Sequence, residues 1–230
     1  MQDFVFPTGN GPFLPVIFCM DVSGSMLHNI AAMQDGFRQF VRDVQSDEQA
    51  NKVVRGAVIT FESNVHVVQD FEAVSNWNLP VLQADGCTDL AGAVNKALEI
   101  LNEKKREYQR DGVTYYQPWI VLFTDGAHYT GMKSTQEDAT DVRNAANEVI
   151  SLCKARKLVS FPIGIGDGVD WETLKSFSTE GIALSLKDTN SFAEFFKFFS
   201  MSASATARSN TDAGHQIDME QLMRAFDVKR

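Results

Sequence analysis

Five side chains in this 230-residue sequence carry oxygen donors at positions where one cation could gather them. Asp21, Ser23 and Ser25 share the run Asp21-Val22-Ser23-Gly24-Ser25. Thr88 lies in Asp85-Gly86-Cys87-Thr88-Asp89, and Asp125 in Thr124-Asp125-Gly126. The first and third runs close apolar segments that read as strands, and the second opens a helical pattern. Two carboxylates about 4 Å apart at an effective dielectric near 20 repel by roughly 4 kcal/mol, and a divalent ion removes that cost. Ser23, Ser25 and Thr88 add hydroxyl oxygens without charge. Two carboxylates with hydroxyls fall short of the crowded oxygen shell of calcium. They suit Mg²⁺, which holds octahedral geometry and keeps some of its waters, with Mn²⁺ or Ca²⁺ as substitutes. Gly24 lets the first loop turn tightly, and Ser25 is placed to start a helix. So few protein charges would leave the ion electrophilic, with a position open to a carboxylate from a partner.

Other donors fit simpler roles. Asp-x-Ser-x-Ser alone is also a helix-capping sequence, so the metal reading rests on its combination with Thr88 and Asp125. Asp85 and Asp89 read as solvated loop acids. His28 and His128 each stand three residues beyond a candidate ligand and would line the rim, but the other donors are oxygens, which disfavours zinc. His66 reads as structural and Cys87 as a small packed residue. Gly164-Ile165-Gly166-Asp167-Gly168 lacks the spacing of a dinucleotide loop and reads as turn chemistry.

The elements that must position these groups alternate along the chain. Apolar runs at 14–20, 53–61, 65–69, 119–124, 159–165 and 182–186 read as strands, three of them apolar on both faces. Met26, Ile30, Met33, Phe37, Phe40 and Val44 form a helical stripe. Leu90, Val94, Ala97 and Leu101 form a second, and Val142, Ala146, Val149 and Cys153 a third. Phe192, Phe195, Phe196 and Phe199 make a fourth, read as core packing, with Ser191 and Glu194 spaced as a capping box. A shorter helix covers 171–177. This alternation predicts an α/β fold: a doubly wound, mostly parallel six-stranded sheet with helices on both faces. Only Glu62, Ser63 and Asn64 separate the second and third strands, so these should pair as an antiparallel hairpin at one edge. Residues 1–11 read as an extension, 12–202 as the domain, and 203–230 as a tail in which 217–226 suits a short amphipathic helix.

Composition narrows the function. The formal charge of −9 argues against a general nucleic-acid binder. No apolar run approaches the roughly 20 residues of a membrane span, and no basic N-terminal region suggests a secretory signal. The odd number of cysteines, Cys19, Cys87 and Cys153, suits a reducing cytoplasm.

With Thr88 and Asp125-Gly126, the Asp21-x-Ser23-x-Ser25 run resembles the metal-ion-dependent adhesion site of von Willebrand factor A domains. The resemblance extends from about residue 12 to 200 and includes Ile163-Gly164-Ile165-Gly166 and the closing helix from Asp188. It implies the doubly wound A-domain fold. It also implies Ser23 and Ser25 as direct ligands, Asp21 and Asp125 as ligands directly or through water, and Thr88 as a direct ligand when a partner is engaged. Cys87 replaces a second glycine found in many members and stiffens the threonine loop. Among cytoplasmic members the chain looks most similar to bacterial TerY-type proteins of tellurite resistance and stress signalling. The expected function is therefore a non-enzymatic, Mg²⁺-dependent protein-interaction module whose partner presents Glu or Asp, with no role for nucleic acid or membrane. A Mg²⁺-dependent hydrolase or phosphotransferase is the alternative, but no Asp-x-Asp pair or Lys-containing phosphate loop supports it. Self-association, with Asp218 and Glu220 reaching a neighbour's metal, is a third reading.

Overall fold

The first strand, β1 (Leu14–Asp21), is buried along its whole length, because it lies at the middle of a sheet covered on both faces. The computed structural model describes residues 11–77, 81–207 and 226–230. Its further strands are β2 (Val54–Phe61), β3 (Val65–Ala73), β4 (Trp119–Thr124), β5 (Val159–Ile165), β6 (Ala183–Leu186) and β7 (Asp227–Lys229), in the spatial order β3-β2-β1-β4-β5-β6-β7. β2, β1, β4, β5 and β6 run parallel, and β3 pairs antiparallel with β2 as the short loop requires. The helices are α1 (Ile30–Ser46), α2 (Glu48–Val53), α3 (Leu90–Arg110), α4 (Thr135–Lys154), α5 (Trp171–Lys175) and α6 (Thr189–Ala207).

Alternation along β1 divides the core. Leu14, Val16, Phe18 and Met20 pack with the buried stripes of α1 and α6, while Ile17 and Cys19 pack with those of α3 and α4. Phe18 anchors the first layer, with ring centroids 4.9 Å from Phe37, 5.1 Å from Phe40 and 5.7 Å from Phe199. The phenylalanine stripe is therefore core, as its spacing predicts. Gly36 lets α1 and α6 approach, since a Cβ there would lie 2.9 Å from the Phe196 ring. The chain winds one way from β1 to β2 and the other way from β4 to β5. The reversal between adjacent β1 and β4 opens a crevice at their carboxyl ends.

Two details depart from the sequence expectation. The sheet has seven strands, because β7 adds antiparallel to β6 with Leu184 opposite Val228, so both edges are antiparallel. Three residues carry too little periodicity to announce a strand; the anchor is Phe226, whose ring lies 6.0 Å from Phe195 and 5.9 Å from Phe198. The helix expected within 217–226 falls outside the described residues except for Phe226. The short helix α2, capped by Asp47 through the Gln49 and Ala50 amides, went unread because six residues cannot show a stripe.

The cap of α6 also differs. The Ser191 amide donates to Asp188 Oδ1 at 2.8 Å, and the Asp188 amide donates to Ser191 Oγ at 3.1 Å. Asp188 and Ser191 thus form the reciprocal pair expected of Ser191 and Glu194, one turn earlier. Asp188→Ala is expected to lower the thermal midpoint by about 2–4 °C and Glu194→Ala to leave it unchanged. Differential scanning calorimetry on both variants checks the assignment.

Candidate metal centre

Asp21 ends β1 with no exposed surface. Its Oδ1 accepts the Ser23 amide at 2.8 Å, and its Oδ2 accepts the Thr124 hydroxyl at 2.6 Å. Burial pushes the Asp21 pKa up to about 6. The bonds from Ser23 and Thr124 oppose the rise, and the charge of Asp125 adds to it. Among the described residues no Lys or Arg pairs with Asp21. It is a buried acid without a basic partner among the described residues, held by the turn after β1 and by the last residue of β4.

The hydroxyls beside it are not spent on capping. Ser23 occupies the N-cap position of a 3₁₀ turn (Gly24–His28) but makes no side-chain cap bond. Ser25 lies inside that turn, so it does not start α1 as expected; Asn29 stands before α1 instead. The hydroxyls of Ser23 and Ser25 are 3.1 Å apart, with Ser23 buried and Ser25 exposed. The bland capping account of Asp-x-Ser-x-Ser therefore fails, and two neutral oxygens remain next to the buried acid.

Asp125 follows β4 and is partly exposed, with its Oδ1 accepting the Ala127 amide at 3.0 Å. Its carbonyl accepts the Asp170 amide at 2.7 Å. Thr88 is 5% exposed and arrives on a loop tied to both others. The Gly24 amide donates to the Gly86 carbonyl at 3.1 Å, and Thr88 and Tyr129 exchange backbone hydrogen bonds of 2.9 and 3.0 Å. These ties fix the three donor-bearing loops relative to one another. Asp21, Ser23 and Ser25 form one bonded group, Asp125 reaches it electrostatically, and Thr88 is held to it through backbone alone.

The other donors separate. Asp89 caps α3, accepting the Gly92 amide at 2.9 Å, and Asp85 is exposed and bonded to the Gly86 amide. His28 is exposed on the first loop. The His128 side chain does not line the rim: it is 4% exposed, with Nε2 3.6 Å from Asp138 Oδ1. Gly166, at φ 87°, serves the turn after β5. Among the described residues no group of three or more His, Cys, Asp or Glu side chains is placed to hold a metal. The candidate donor set is two carboxylates with hydroxyls, an all-oxygen set that could hold a divalent cation. Thr124 was not read as functional. Its hydroxyl donates to Asp21 and accepts the Gly126 amide at 3.0 Å, a role that depends on strand adjacency.

Comparison with known proteins agrees with the fold. Residues 16–128 match the family model of the von Willebrand factor type A domain. Human inter-alpha-trypsin inhibitor heavy chain H6 is 28% identical over 180 residues, covering 73% of this chain and 13% of that protein. The pilus adhesin SpaC from Lactobacillus rhamnosus GG, in its open conformation, superposes with a TM-score of 0.63 at 14% identity over 86% of this chain and 30% of its own. Proximal thread matrix protein 1 from the mussel byssus, solved with a zinc-occupied MIDAS motif, gives 0.56 at 15% identity over 84% of this chain and 48% of its own. The family-model match is confined to residues 16–128, and the two structural neighbours share the fold. The chain spans less than half the length of each of these relatives. No helix among the described residues is long and apolar enough to cross a membrane.

Proposed function

We propose that this domain is a metal-dependent protein-interaction module. Asp21, Ser23, Ser25, Thr88 and Asp125 would hold Mg²⁺, and a Glu or Asp of a protein partner would complete its shell. The observation that carries this reading is Asp21: a fully buried carboxylate, braced by Ser23 and Thr124, beside a second carboxylate and without a basic partner among the described residues. Bound there, Mg²⁺ would offset the two charges and present a Lewis-acidic vertex to an incoming carboxylate. In a chain of formal charge −9 an acidic partner is otherwise repelled, so partner binding should depend steeply on the ion.

The rim supports a protein partner. Leu27, Tyr129 and Met132 are 61%, 60% and 87% exposed on the two loops that follow Ser25 and Asp125. These apolar contacts would supply area around a single metal–carboxylate bond, which by itself gives mainly orientation. The narrower setting we propose, a bacterial cytoplasmic stress response of the tellurite-resistance kind, rests on the resemblance of the metal-site motifs.

Capture from an extract of the source cells, with Mg²⁺ or with chelator, tests the reading on wild type and Asp21→Ala. A partner retained by wild type with Mg²⁺, and reduced about tenfold or more in the other three conditions, is the expected result. Equal retention in all four would refute it.

A further inference from the structure

An open basin of about 650 Å³ lies at the opposite end of the sheet, where β4 and β5 begin. Its walls are the C-terminal half of α3, the segment entering β4 and the turn that ends α4. Lys105, Arg106, Arg156 and Lys157 line it, and no carboxylate is among its lining residues. The other polar groups are amides and phenols, including Tyr115 and Gln117. In a chain of formal charge −9 this is a local reversal of sign. Neighbouring cations of α3 are neutralised, Lys104 by Glu107 and Arg110 by Asp111. Among the described residues the four in the basin pair with no acid.

Two features show that this clustering is maintained against a cost. Lys105 Nζ donates to the Lys157 carbonyl at 3.1 Å, which brings two cationic residues together. Burial, with the nearby charge of Lys157, lowers the Lys105 pKa. Arg156 has φ 55° and is the one non-glycine with positive φ among the described residues. Its amide bonds to the Cys153 carbonyl and that of Lys157 to the Leu152 carbonyl, both at 2.9 Å. That is the helix-ending motif in which glycine is the usual occupant. An arginine there is strained backbone facing a cavity. Cations near helix C-termini also complement the helix dipole, which accounts for Arg156 and Lys157 after α4. It does not account for Lys105 and Arg106, more than a turn inside α3, on the same basin.

We propose that this basin is a second ligand site, binding a small polyanion with clustered phosphoryl groups. Four cations around one depression match several charges within a few ångströms, and guanidinium forks bind phosphoryl oxygens in pairs. The volume is in the usual range for small-molecule ligands. A nucleoside diphosphate and inorganic pyrophosphate share this chemistry. The site is at the amino ends of the strands, so it is independent of the metal centre.

Calorimetric titration of the full chain in metal-free buffer, with pyrophosphate and separately with ADP, tests the site. Saturable binding tighter than about 1 mM is expected for at least one. Equal affinities would mean that the phosphoryl cluster alone is read, and tighter ADP binding that the nucleoside is also contacted; both support the site. Arg156→Gly should weaken binding by about tenfold while leaving the ligand-free thermal midpoint unchanged or raised, because glycine suits that backbone. Lys157→Gln should weaken it similarly. No saturable binding of either phosphate, undiminished binding in both variants, or binding of a poly-glutamate peptide in place of both phosphates would overturn the proposal.

Discussion

Asp21→Asn is expected to make the metal-free protein more stable at pH 7.5 and to lower its affinity for Mg²⁺ by about a hundredfold. The Asp21 carboxyl has a pKa of about 6 in the fold against an ordinary 3.8, chiefly through burial. Between those values the folded state binds a proton that the unfolded state has released. Stability therefore falls as pH rises from about 4 to 6, and the loss is complete above the folded value. Two pKa units correspond to at most about 3 kcal/mol, so a gain of roughly 1–3 kcal/mol is expected on removing the charge. Asparagine preserves the shape. Its Oδ1 can accept the Ser23 amide, and its amide can donate to Thr124 Oγ1, which has a lone pair left beside the Gly126 bond.

The order of stabilities should invert with metal. A ligand that binds only the folded state stabilises it by RT ln(1 + [L]/Kd), so wild type should gain with added Mg²⁺ and Asp21→Asn should not. Urea denaturation in chelator and in Mg²⁺, at pH 4.5 and 7.5, measures all the terms. Wild type more stable than Asp21→Asn in chelator at pH 7.5, or equal stabilisation of both by Mg²⁺, would sink the account of Asp21 as the buried anionic base of a cation site.

What the sequence disclosed of this site follows from how each group is placed. Asp21, Ser23 and Ser25 are neighbours on one tight turn, so their spacing alone put them together, and the apolar run before them located the strand end. The β1–β4 adjacency was legible because both runs are apolar on both faces, as central strands must be. The bracing of Asp21 by Thr124 was not, since it joins residues 103 positions apart through strand register. Nor were the bonds that seat the Thr88 loop, from the Gly24 amide to the Gly86 carbonyl and between Thr88 and Tyr129, which use backbone groups common to every residue. His128 looked like a rim residue from its distance to Asp125, but its side chain turns inward toward Asp138 on α4. Local polarity carries no record of that packing. The cap at Asp188 and the strand at Asp227–Lys229 were missed for a related reason: where several residues have suitable chemistry, tertiary contacts choose among them.

Gly126 joins the local and tertiary constraints, and Gly126→Ala is expected to cost about 2–4 kcal/mol and weaken Mg²⁺ binding. Its φ is +81°, where an L side chain is strained by about 1–2 kcal/mol. A Cβ would also lie 2.6 Å from the Asp170 carbonyl oxygen and 3.1 Å from Leu174 Cγ. Neither neighbour can yield easily. The Asp170 amide is bonded to the Asp125 carbonyl at 2.7 Å, the Asp170 side chain caps α5, and Leu174 is fully buried. Overpacking of this kind typically adds 1–3 kcal/mol, about the size of the backbone term. The displaced group is then the Gly126 amide, which bonds to Thr124 Oγ1, the hydroxyl that holds Asp21. A methyl group at 126 should therefore disturb both carboxylates although it contacts neither. Gly168 provides the control, since a Cβ there meets nothing within 4 Å and its φ is not positive. Gly168→Ala should change stability by less than about 0.5 kcal/mol. Denaturant midpoints and Mg²⁺ titrations of the two variants decide the matter. If Gly126→Ala behaves like Gly168→Ala in both, the loop after β4 does not have the rigid coupling to Asp170 and Thr124 on which the geometry of the proposed metal centre depends.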